Sequence, residues 1–163
     1  MTIQTIISHL EKLDQFNESL LALSKQKTEF VKNSQIDEFN QLLMKEKKHA
    51  QAIDQVESKR IQLTEKWFEE HAPNAKEQTI TQLIELTDDE EAKQKLEEIF
   101  EKLVINLAQL KEQEQLNREL IEQSLQFIDL SLEMYEPQSK QMNYDSNKQA
   151  PQRQQTSMFD SKA

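Results

Sequence analysis

Apolar residues recur along the first part of the chain at intervals of three and four: Ile3, Ile6, Ile7, Leu10, Leu13, Phe16, Leu20, Leu21 and Leu23. This is the period of an amphipathic helix. Asn33-Ser34 interrupts it, and Ser34-Gln35-Ile36-Asp37 reads as the S-x-x-D start of a second helix. The second helix carries Ile36, Phe39, Leu42, Leu43, Ile53, Val56, Ile61, Leu63 and Trp67 and stops near His71-Ala72-Pro73. So short a connection either folds the two helices back antiparallel or continues them as one kinked rod, and the hairpin is the favoured reading. Thr79 to Leu86 predicts a two-turn helix, because Ile80, Leu83 and Ile84 share one face. Thr87-Asp88-Asp89-Glu90 then reads as a capping box, with acids at the positive end of a helix. Neither proline nor glycine follows until Pro137, so the last helix is predicted to run about 48 residues, roughly 70 Å.

At Pro137 the pattern changes. The remainder is rich in Gln, Ser, Asn and Lys, and its sizeable apolar groups are Met142, Tyr144, Met158 and Phe159. Such a stretch buries too little surface to offset its ordering entropy. The prediction is therefore an all-α protein: an elongated antiparallel helical bundle, or coiled-coil-like hairpin, with a long C-terminal helix. Its helical domain covers 1–136, and 137–163 is a flexible tail.

Composition sharpens this. In 163 residues there is no glycine, where average usage would give roughly 11. Without glycine, a phosphate-cradling loop, a dinucleotide turn, a nucleophile elbow and most β-rich folds are disfavoured. Cysteine is also absent, which excludes disulfides and thiolate zinc sites and suits a reducing compartment. No run approaches the length of a membrane span, and Met1-Thr2-Ile3-Gln4 lacks the features of a signal peptide, so a cytoplasmic protein is expected. The net charge is −10. The tail holds four basic and two acidic residues, which leaves 16 basic against 28 acidic in residues 1–136. A body that acidic repels phosphate backbones and anionic membranes, so neither nucleic acid nor lipid is an expected partner.

The sharpest feature lies between 120 and 135. At about 100° per residue, Leu120, Ile121, Leu125, Phe127, Ile128, Leu132, Met134 and Tyr135 fan over roughly 180° of the helix, whereas a core-facing stripe needs only a little over 100°. Ser124 and Ser131 sit within this arc. Either neighbouring helices cover both flanks, or one flank is left as a groove for another protein's amphipathic helix. Gln113-Glu114-Gln115 separates this patch from the upstream seam of Leu96, Ile99, Phe100, Leu103, Leu107 and Leu110.

Candidate chemistry is sparse. His9 and His71 read as surface residues. Glu46-Lys47-Lys48-His49 has the E-x-x-H spacing of di-iron bundles, but such a site needs two copies plus two further carboxylates. No catalytic residue, metal site or cofactor is predicted, and the chain does not read as an enzyme. Arg60 follows Ile53 and Val56 at helical spacing, so its stem lies on the apolar stripe. It either snorkels beside a Glu or forms a specific buried ion pair.

Three stretches resemble the FlgN-type flagellar export chaperones. Val56-Glu57-Ser58-Lys59-Arg60 matches that family's V/L-E-x-x-R pattern at Glu57 and Arg60. Asn117-Arg118-Glu119-Leu120-Ile121-Glu122 matches N-x-x-L-[IL]-E at Asn117, Leu120, Ile121 and Glu122. Asn143-Tyr144-Asp145-Ser146-Asn147 stands where the family tends to carry a tail tyrosine, without the glycine that often follows it. The similarity spans roughly residues 1–147. It implies a cytosolic type III export chaperone that holds hook–filament junction proteins and delivers them to the export gate. The resemblance assigns client binding to Leu120, Ile121, Ser124, Leu125, Phe127, Ile128 and Leu132, and the gate contact to Tyr144. The rival expectation is a structural coiled-coil protein that self-associates through the same arc.

Overall fold

In the computed structural model, the backbone is described for residues 2–160 and side chains for residues 3–135. Four helices follow in order: α1 (Thr2–Lys32), α2 (Ile36–His71), α3 (Ile80–Leu86) and α4 (Glu90–Asp160). No strand occurs among the described residues. The chain divides into two compact units, Met1–Leu120 and Ile121–Ala163.

The first unit is a bundle in which α1 is the central helix. Phe16 meets His49 edge-on, and Lys27 pairs with Glu46. As α1 advances α2 retreats, so the two form the antiparallel hairpin. Asn106 bonds Asp14, Glu114 bonds Ser24, and Asn117 bonds Thr28, so α1 and α4 run parallel. The apolar core occupies one end of this unit. Ile6, Ile7, Leu10 and Leu13 of α1 pack with Trp67 and Phe68 of α2, Leu83 of α3, and Ala92, Leu96, Ile99 and Leu103 of α4. Each large side chain of this kind contributes about 1.5–3 kcal/mol on burial. Short α3 closes that end, with Leu83 inside and Ile80 and Ile84 packed on the cluster.

Two of the caps differ from the sequence expectation. Between α1 and α2, Gln35 N–H donates to the Phe30 carbonyl and Ser34 N–H to that of Val31. This is the Schellman closure, and Ser34 takes the left-handed position with φ of 55°. Ser34 therefore ends α1 and does not cap α2, whose N-cap is Gln35 with no side-chain bond. At α4, Asp89 is the capping residue: its carboxylate accepts from the N–H groups of Glu91 and Ala92 at 3.0 and 3.3 Å. Thr87 instead ends α3 and donates its hydroxyl to the Leu83 carbonyl at 2.6 Å. The Thr79 hydroxyl caps α3 by accepting from Gln82 N–H.

The backbone of α4 continues past Pro137 to Asp160, beyond the end that the proline predicted. The side chains of 136–163 lie outside the described residues, and the flexible tail and Tyr144 remain sequence expectations.

A non-glycine residue in the left-handed region costs roughly 1–2 kcal/mol, partly offset in glycine by its looser unfolded chain. Ser34→Gly is accordingly expected to stabilise the protein by about 0.5–1 kcal/mol. Thermal unfolding followed by circular dichroism should show a higher midpoint.

Candidate functional site: a polar clasp and the exposed seam beyond it

The seam of α4 that faces α1 repeats at alternating intervals of four and three: Ala92, Leu96, Ile99, Leu103, Asn106, Leu110, Gln113 and Asn117. The matching seam of α1 is Ile3, Ile7, Leu10, Asp14, Asn17, Leu21, Ser24, Thr28 and Val31. Both seams begin apolar and turn polar. Sequence reasoning treated Gln113-Glu114-Gln115 as a polar interval, but Gln113 and Glu114 bond across to α1.

At the polar end Asn117 is 1% exposed. Its amide donates to the Ser24 carbonyl at 2.8 Å and to the Ser24 hydroxyl at 3.0 Å. The Thr28 hydroxyl donates to the Asn117 carbonyl oxygen and accepts from Gln113 Nε2 at 2.6 Å. Ser24 donates to Glu114 at 2.6 Å. Beside this network the buried Lys27 ammonium reaches Glu114 at 3.1 and 3.2 Å and Glu46 at 2.9 Å. A buried ammonium is tolerated only when paired, and here two helices supply its carboxylates. Ser24, Lys27, Thr28, Gln113 and Glu114 escaped the sequence reading because an apolar-residue search skips them. Their four-and-three spacing was the available signal.

This clasp fixes the register of α1 on α4, since buried polar groups find their partners in one alignment only. Thr28 lies level with Asn117, and α1 ends four residues later at Lys32.

Of the residues assigned to the client, Leu120 is partly covered and belongs to the first unit. The other six lie in the second unit. Ile121 is partly covered and Ser124 is exposed. Leu125, Phe127, Ile128 and Leu132 are 54%, 71%, 50% and 58% exposed, with Leu130, Met134 and Tyr135 more open still than Leu132. Ser131 turns its hydroxyl back to the Phe127 carbonyl at 2.9 Å, which satisfies it locally on an apolar face. The second unit thus presents apolar side chains at Ile121, Leu125, Ile128, Leu132 and Tyr135, again at alternating intervals of four and three.

Elsewhere the polar candidates are structural. Arg60 makes a two-pronged bond to Glu57, at 2.7 and 2.6 Å, with its own side chain mostly buried. Glu46 is spent on Lys27, and His49 bonds the Lys45 carbonyl and edges Phe16. Among the described residues no group of three His, Cys, Asp or Glu is placed to hold a metal. His71 stacks on Trp67 with ring centres 4.7 Å apart, and His9 bonds the Thr5 carbonyl. The Lys95 pKa is raised from the ordinary lysine value, chiefly because the Glu91 side chain accepts its hydrogen bond at 2.7 Å. That contribution is complete at neutral pH and fades only as pH rises past the lysine range. Among the described residues no helix is long and apolar enough to cross a membrane.

The described residues thus offer a polar clasp inside the bundle and an exposed apolar seam. The chain belongs to the FlgN family: the family model, described as FlgN protein, matches residues 1–152. Membership of this family supports a role as a flagellar export chaperone. The chain is also similar to YvyG of Bacillus subtilis (strain 168), an uncharacterized protein, with 36% identity over the full length of both chains. No solved structure matches. The two motif stretches now have physical content: Glu57 and Arg60 form the fork, and Asn117 centres the clasp.

Asn117→Ala removes the acceptor of Thr28 and both bonds to Ser24 while leaving a small void. The expected loss is about 1–3 kcal/mol, the usual penalty for stranding buried polar groups. Urea denaturation should show a lower midpoint with an unchanged slope.

Proposed function

We propose that the protein is a cytoplasmic chaperone of the flagellar type III export system. It holds hook–filament junction proteins by their amphipathic terminal helices, prevents their premature association and delivers them to the export gate. The observation that carries this reading is the seam at Leu125, Ile128 and Leu132, backed by Phe127, whose side chains are at least half exposed, with partly covered Ile121 at its start. A monomer seldom keeps so continuous an apolar run exposed without a partner for it. Family membership supports the chaperone class, and the seam supplies a surface on which it acts.

The mechanism requires no bond-making. Junction proteins present apolar helix faces that are buried only after assembly, and alone they would pair wrongly. Laying one such face on the seam follows the helix-in-groove mode of recognition. At about 25 cal/mol per Å², several hundred Å² of apolar surface yields gross stabilisation of order 10 kcal/mol. Association and ordering costs consume much of it. The complex forms and can still be dismantled at the gate, where Tyr144 makes the contact.

The same spacing suits a two-stranded coiled coil, so a self-associating structural protein is the competing reading. Light scattering separates the two: a stable, concentration-independent oligomer indifferent to junction proteins would favour the competitor.

Ile121→Asp combined with Ile128→Asp is expected to abolish co-purification of a junction protein while the far-ultraviolet dichroism stays helical. Retained capture by the folded double variant would remove the seam as the docking surface. Tyr144→Ala is expected to leave client capture intact and reduce secretion and motility; unchanged motility would contradict the gate assignment.

A further inference from the structure

The seam has a polarity that apolar contact alone does not use. Numbering Leu125 and Leu132 as the first apolar positions of two heptads puts Ile121, Ile128 and Tyr135 at the second. The positions flanking Leu125 and Leu132 on one edge are then Glu122 and Asp129, both exposed, and Glu136 continues the spacing in the sequence. Glu133 lies one step farther out on the same edge. The opposite edge holds Ser124 and Ser131, then Phe127 and Met134. From Ile121 to Tyr135 there are three acids and no lysine or arginine. The seam is thus acidic along one margin, and small then apolar along the other.

Resting on the docking surface proposed above, we infer that its occupant is an amphipathic helix from another protein that carries a row of lysine or arginine along one margin of its apolar stripe. Residues flanking an apolar seam set partner choice in helix pairing. A second copy of this chain is a poor occupant by that rule. Paired antiparallel, two copies would bring Glu122 and Asp129 against the same acids; paired parallel, the acids would face only Ser124 and Ser131. In neither arrangement does an acid find a cation. A basic margin satisfies Glu122 and Asp129 together, while the serine side allows close approach and lets Phe127 and Met134 overlap the partner's bulkier edge. Like-charge repulsion against self-pairing and against acidic helices is specificity by exclusion. An exposed acidic margin also draws a basic helix in from a distance, an effect that salt suppresses.

The test uses the full chain and three synthetic helical peptides with one leucine–isoleucine stripe, whose flanking row is lysine, glutamine or glutamate. Fluorescence anisotropy of labelled peptide reads the dissociation constants. The lysine peptide should bind tightest and the glutamate peptide weakest, about tenfold or more apart at low salt, with the gap narrowing in 0.5 M sodium chloride (about a 4 Å screening length). Glu122→Lys with Asp129→Lys should reverse the order without changing helicity. Equal affinities, or an order that the double variant leaves unchanged, would overturn the charge preference and leave the docking surface standing. Failure of all three peptides to bind would overturn the docking surface and this inference with it. A tight dimer by sedimentation that Ile128→Asp dissolves would overturn the assignment to a foreign helix.

Discussion

The register between α1 and α4 is the constraint on which the rest depends, and it is held by buried hydrogen bonds more than by apolar packing. Leucine and isoleucine faces can slide by a heptad at modest cost, because one apolar layer resembles the next. Asn117 cannot. Its amide matches the Ser24 carbonyl and hydroxyl, its oxygen takes the Thr28 hydroxyl, and any other alignment strands these groups in a dry interior. Lys27 adds the same demand in charge, since Glu46 and Glu114 reach it from two different helices. The α1–α4 register that follows decides which residues of the two helices face each other.

The energetic layout is correspondingly divided. One end of the first unit is an ordinary apolar core, built on Ile6, Leu10, Phe68, Leu83 and Leu96 and closed by α3. The other end exchanges apolar burial for directional bonds. Stability therefore comes mainly from the first end and alignment from the second. The second unit carries its own exposed apolar side chains at Leu125, Phe127, Ile128 and Leu132. Thr79 and Asp89 cap the starts of α3 and α4 with side-chain oxygens, and Ser34 takes the left-handed position at the end of α1 that glycine usually fills.

Much of this was legible before the structure. The three-and-four spacing of Ile3 to Leu23 marked α1, Ile80, Leu83 and Ile84 marked α3, and the uninterrupted run after Asp89 marked α4. The helix ends were read less well. Ser34 and Thr87 were taken for starts when each terminates the helix before it, because a serine or threonine hydroxyl serves either end and one residue decides which. Arg60 was recognised as sitting on an apolar stripe, and its fork with Glu57 lies within one helix turn, where sequence spacing is a fair guide. Ser24, Thr28 and Gln113 were missed because they are small or polar, and their partners are some 85–93 residues distant.

The sequence by itself determined the class of fold, the helix count and the excess of apolar surface on the last helix, since periodicity is a local property that each helix carries alone. It also determined the acidic margin beside that surface. Only the tertiary structure decided that the upstream polar stretch of α4 is an interior bond network, and that Leu125, Phe127, Ile128 and Leu132 are left open to solvent. Those outcomes depend on which distant side chains meet and which find no partner, and neither is written in the spacing of any one segment.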